Sequence, residues 1–151
     1  MPYKTIAIVG TPTFAEFDAG GAITPGHLLY LASDGDVEVH ATAGGTAAPW
    51  FALEDDLQGN EIGDAYSADN RVKTGIFKPG DQVFALLFNG ENAAIGNYLE
   101  SQGDGTLRVV DADASAGDIG VQSVVGVALE AVDMSGSSGV DPSGRIRIMI
   151  I

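Results

Sequence analysis

Residues 32 to 41, ASDGDVEVHA, and residues 100 to 110, ESQGDGTLRVV, write nearly the same turn and strand twice in one chain of 151 residues. A short unit of this kind, used twice, ties the chain to compact strands joined by tight turns. The correspondence runs further: Gly26, Leu29, Gly35, Val37 and Val39 recur as Gly96, Leu99, Gly105, Leu107 and Val109, at a constant offset of 70. FALE at residues 51 to 54 then matches VALE at residues 127 to 130, because a longer loop has intervened. Two units are too few for a solenoid, which needs three or more to cover its core. The sequence therefore predicts two related β units, about residues 23–88 and 93–151, packed into one body.

Strand signals between these landmarks are short and bounded by turn residues. Pro25-Gly26 suits the centre of a type II turn and Asp34-Gly35 a tight hairpin. Trp50, Phe51 and Leu53 enter a further strand. QVFALLF lies between Pro79-Gly80 and Asn89-Gly90 and is apolar at nearly every position, as in a strand covered on both faces. In the terminal RIRIMII, Ile146, Ile148 and Ile150 share one face. Helical periodicity is scarce, with room for single turns in TAAPWFALEDDL and SAGDIGVQSV. The predicted class is all-β, a compact, small-barrel-like domain over residues 21–151. Residues 1–20, aperiodic and rich in glycine and proline after Val9, read as an extended arm attached to it.

Composition narrows the partners. Seven basic residues stand against 21 acidic ones, a net charge of −14, so a phosphate backbone is repelled and nucleic acid is an unsuitable partner. Cysteine is absent, which removes disulfides, thiolate metal sites and thiol catalysis together. No run reaches the roughly 18 apolar residues of a membrane span, and the apolar part of MPYKTIAIVGTPTF is too short for a secretory signal.

Catalytic patterns are missing. His27 and His40 have no metal-ligand spacing, and neither a G-x-S-x-G elbow nor a phosphate or dinucleotide loop is present. DADASAGDIGVQ, residues 111 to 122, sets Asp111, Asp113 and Ser115 where a calcium loop has its first ligands. It then has Ala116 where glycine is needed and Gln122 where a bidentate glutamate is needed, so it reads as a solvated acidic loop. Glu54, Asp55 and Asp56 offer carboxylates, but the second unit keeps only Glu130. No enzyme and no cofactor are predicted. Arg71, Lys73 and Lys78 concentrate positive charge within eight positions, with Arg145 and Arg147 near the C-terminus. They read either as strand faces balancing acidic neighbours or as a patch that docks an acidic protein surface.

FKPGDQVFALLFNGENAAIGNYLESQGDGTLRVVDAD, VVGVALEAVDMSG and GRIRIMII together resemble the capsid decoration, or cement, proteins of tailed bacteriophages related in fold to the head decoration protein of phage lambda. The likeness covers about residues 21 to 151 and rests on turns and strands, not on catalytic residues. It implies a β-tulip that forms a homotrimer on the outer surface of the expanded capsid, binds the major capsid protein and stabilises the head against DNA pressure. The protein would be made in the host cytoplasm and end in the virion. It further implies that the N-terminal arm engages the capsid, here through Pro2, Tyr3, Lys4, Thr5, Ile6, Ala7, Ile8 and Val9, with Phe14 and Phe17 as apolar anchors; on the docking reading of the charge cluster, Arg71, Lys73 and Lys78 would be a basic patch against the same capsid. This arm is longer than a minimal decoration protein needs. The competing reading is a trimeric virion-surface adhesion or carbohydrate-binding module using Trp50, Tyr66 or Tyr98 as a sugar platform.

Overall fold

The computed structural model describes residues 3–110, 124–136 and 144–151. Apart from one 3₁₀ turn at Asp56–Gln58, all regular elements there are strands: β1 (Ala7–Val9), β2 (Thr13–Asp18), β3 (Leu29–Leu31), β4 (Val37–Val39), β5 (Trp50–Ala52), β6 (Arg71–Ile76), β7 (Gln82–Leu86), β8 (Asn92–Ala93), β9 (Tyr98–Ser101), β10 (Leu107–Val109), β11 (Gly126–Ala128), β12 (Val132–Asp133) and β13 (Arg145–Ile150). They form sheets in the orders β1-β7-β13-β11-β9-β10, β2-β6-β5, β3-β4 and β12-β8. The class is all-β, as the sequence predicts, with several antiparallel sheets and, among the described residues, no closed barrel. No helix among the described residues is long and apolar enough to cross a membrane.

The repeat is visible at the level of register. Leu29 pairs with Val39 and Leu31 with Val37, while Leu99 pairs with Val109 and Ser101 with Leu107. β5 pairs with β6 as Phe51 with Gly75, and β11 with β13 as Val127 with Met149. Even the turn chemistry is copied: Thr24 N–H donates to His27 Nδ1, and Ala94 N–H donates to Asn97 Oδ1.

The duplication also begins earlier than the sequence indicates. β2 pairs with β6 as Phe17 with Val72, and β7 with β13 as Ala85 with Ile146, so β2 and β7 are equivalent strands. The parallel bridges Ala19 with Val37 and Leu87 with Leu107 extend the match beyond them. The units are therefore β2–β6 and β7–β13. Residues 13–19, predicted as part of an arm, open the first unit, and Ala19 is fully buried in its core. The preceding residues are integrated as well: Ile6 is fully buried and β1 forms the edge of the six-stranded sheet beside β7. The physical reason is burial, because Ile6 and Ala19 fill core positions that a free arm would leave in water.

Two cores result. Ala19, Ile23, Leu29, Val37, Ala52, Tyr66 and Val72 fill the first unit. The larger core joins Ile146, Ile148 and Ile150 of β13, facing one way as expected, to Ile6 and to Leu28, Phe51, Leu53 and Phe77 from the outer face of the first unit. The first unit thus has a face buried against the second, and that junction positions the surfaces described next.

Candidate docking surface

β2 and β6 present one outward face carrying Phe14, Glu16, Asp18, Arg71 and Lys73, because alternate strand residues point to the same side. Arg71 lies 3.2 Å from Asp18 and 3.9 Å from Glu16, and its side chain is 60% exposed. Lys73 reaches Asp56 at 3.0 Å and lies 5.6 Å from the centre of the Phe14 ring. The Lys73 hydrogen bond holds the Asp56 carboxyl below the usual carboxylate range. Lys78 is exposed beside the Pro79-Gly80 turn, where its backbone N–H donates to Asp81. Arg71 and Lys73 thus share one strand with matched acidic neighbours, and Lys78 stands apart from them beyond the strand end. Exposed pairs of this kind contribute about 0–1 kcal/mol each, so they balance charge more than they stabilise the fold.

The other arginines serve the interior. Arg145 donates to the carbonyls of Pro25 at 2.8 Å and Ile62 at 2.7 Å, fastening the two units together. Burial lowers its basicity. Arg147 donates to the Tyr3 hydroxyl at 3.0 Å and lies over the Tyr3 ring. Arg108 pairs with the buried Glu100 at 2.9 Å.

Of the predicted arm residues, Tyr3, Ile6, Ala7 and Ile8 are wholly or partly buried, and Phe17 packs edge-on against Trp50 at 5.2 Å. Lys4, Thr5 and Val9 are exposed, and so is Phe14, at 56%. Pro2 and the acidic loop of residues 111 to 122 lie outside the described residues. Among the three candidate sugar platforms, Tyr66 is buried with its hydroxyl donated to Leu53 O, and burial pushes its pKa up to about 12. Trp50 is half-buried against Phe17; Tyr98 is 55% exposed.

A cleft of about 300 Å³ lies at the junction, lined among others by Thr24, His27, Asp104, Thr106 and Arg145. Its polar groups are occupied in holding turns: His27 caps Thr24, Asp104 accepts from Thr106, and Arg145 is tied to two carbonyls. Desolvation lowers the His27 pKa to about 4, which keeps the ring neutral and able to accept that bond. His40 bridges Ser101 and Thr46 O in the interior. Glu54 and Glu130, the carboxylates considered for chemistry, accept from the backbone N–H groups of Ile6 and Arg147. Among the described residues no group of three or more potential metal ligands comes together.

No family model matches the chain, and no curated protein matches it significantly. Among solved structures, it is similar to the crystal structure of the N base of the head fiber gp8.5 of bacteriophage phi29, with a TM-score of 0.57 and 14% identity. The match covers 93% of this chain and 95% of that one. At this identity the likeness shows a shared fold.

Proposed function

We propose that this chain is a structural protein of a tailed-bacteriophage head, bound to the outer surface of the shell as a homotrimeric cement protein. The observation that carries the proposal is the fold likeness to a head fiber base over nearly the full length of both chains. The decoration-protein resemblance of the sequence points to the same place in a virion. A structural role also agrees with the side-chain assignments, since the histidines and the principal carboxylates are employed in turns and backbone caps.

Docking to the major capsid protein would use what the fold leaves exposed. Those groups are Lys4, Thr5 and Val9 at the β1 edge, and Lys78 beyond the end of β6. Three chains acting together would raise the effective concentration of each further contact, so individually weak docking sites suffice. The acidic exterior keeps the protein off packaged DNA. The carbohydrate-binding alternative retains only Tyr98 as a well-exposed aromatic among its three candidates.

The test is the binding of the purified protein to undecorated heads of the phage that encodes it, before and after shell expansion. Saturable binding at three copies per threefold position, on expanded heads, is the expected result. Absence of binding to either form overturns the proposal.

A further inference from the structure

The junction between the two units has two sides, and each side has an equivalent elsewhere in the chain that is open. On the giving side, the turn of residues 24–28 of the first unit sits against the second unit: Pro25, Gly26 and Leu28 are buried. The equivalent turn of the second unit, residues 94–98, is exposed, with Ile95 at 72% and Tyr98 at 55%. The apolar face beside it follows suit, since Phe77 is 3% exposed and its equivalent Ile151 is 49% exposed. A Cβ added to Gly26 would lie 2.6 Å from Arg145 and 3.1 Å from Phe84 O, whereas nothing lies within 4 Å at Gly96.

The receiving side shows the same imbalance. In the second unit, Leu86 N–H donates to Gly26 O, Arg145 donates to Pro25 O, and Gly105 O accepts from Leu28 N–H. Gly105 is packed tightly against Val39 and His27. The equivalents in the first unit are Asp18, Arg71 and Gly35, of which Asp18 and Arg71 are exposed and Gly35 has nothing within 4 Å of an added Cβ. Ile150 is 1% exposed, but its equivalent Ile76 is 37% exposed.

We infer that the open turn of residues 94–98 docks onto the β2–β6 face of a second copy of this chain, repeating between molecules the junction that joins the two units within one. Arg71 of the second copy then donates to the Ile95 carbonyl, as Arg145 does to Pro25. Its Asp18 N–H donates to Gly96 O, and Tyr98 N–H donates to its Gly35 O. The occupant is another copy because both halves of a known interface are present on every molecule, each lacking its counterpart. Such a contact is heterologous, so each copy both gives and receives, and it forms a ring where the rotation between copies closes. Three copies place six equivalent units around that ring. The inference deepens the homotrimer in the proposed function, but its test uses the protein alone, so its failure leaves head binding standing.

The full-length chain, Tyr98→Glu and Arg71→Glu are compared by sedimentation equilibrium, with circular dichroism to confirm that each retains its β-sheet. Both positions are exposed, so neither change disturbs the core. The wild-type chain is expected as a closed oligomer, and each variant as a single chain of about 15.5 kDa. Mixing the two variants restores one intact junction and yields a one-to-one dimer, because the Tyr98→Glu chain still receives and the Arg71→Glu chain still gives. A wild-type chain that stays single at its highest soluble concentration overturns the inference. So does an oligomer that neither variant affects, and a mixture that fails to form the dimer overturns the head-to-tail order.

Discussion

The two units share a backbone plan but not an environment. β2–β6 and β7–β13 keep the same pairings, the same turn bonds and the same parallel bridges. Burial separates them: the second unit is flanked by β1 and covered by the outer face of the first, while β2 has a strand on one side alone among the described residues. The lesson is that main-chain ladders fix the repeated shape, and side chains then record which neighbour each copy has. Arg145 and Arg71 make the point: the first is fastened to Pro25 and Ile62, and its equivalent stands in solvent beside Asp18.

That comparison is broken most severely at the N-terminus. Removing residues 1–20 deletes β1, all of β2 and the buried Ile6 and Ala19, so the truncated chain is expected to lose cooperative unfolding altogether. Thermal melts followed by circular dichroism decide this, and a sharp transition in the truncated chain would restore the separate arm. Next in size are the equivalent core leucines. Leu29→Ala and Leu99→Ala should each cost about 2–5 kcal/mol. Leu99, in the larger cluster, should cost the more, and denaturant titration of both variants ranks them.

His27 sharpens the comparison further, because its equivalent Asn97 makes the same turn bond without titrating. The folded pKa of His27 is lowered from 6.5 to about 4, chiefly by desolvation, with Asp104 opposing and Arg145 assisting. The unfolded chain therefore binds the proton first as pH falls. Stability should be fully present above pH 6.5, decline between pH 6.5 and 4 by up to about 3 kcal/mol, and then level off for this group. His27→Asn should remove that part of the slope, and unfolding free energies measured across this range would show whether it does. The smallest effect is at the surface: Lys73→Ala breaks an exposed pair with Asp56 and should change stability by less than about 1 kcal/mol.

Much of the fold is legible in the sequence wherever geometry demands a particular residue. Gly26, with φ at +97°, and Gly35, at +94°, require glycine-like backbones, and they recur at Gly96 and Gly105 for that reason. Inward strand positions such as Leu29 and Leu99 are legible for the same kind of cause, since both must be apolar. β2 is not legible as the equivalent of β7, because TFAEFD and QVFAL share no pattern. A ladder requires only main-chain donors and acceptors, and one strand faces water where the other is covered. The β2–β6 face is only partly readable. Arg71, Lys73 and Lys78 cluster in sequence, but Glu16 and Asp18, which meet Arg71, and Asp56, which meets Lys73, lie elsewhere in the chain and are brought to them by the fold. The equivalence of Arg71 and Arg145 is likewise hidden by loops of unequal length.

The most direct test is electron cryomicroscopy of heads from the encoding phage, with and without this protein. The account predicts added density on the outer surface alone, each occupied site a ring of six similar lobes in which residues 94–98 of one copy lie against β6 of the next. Heads that carry no such density, or that carry isolated single chains, would contradict it.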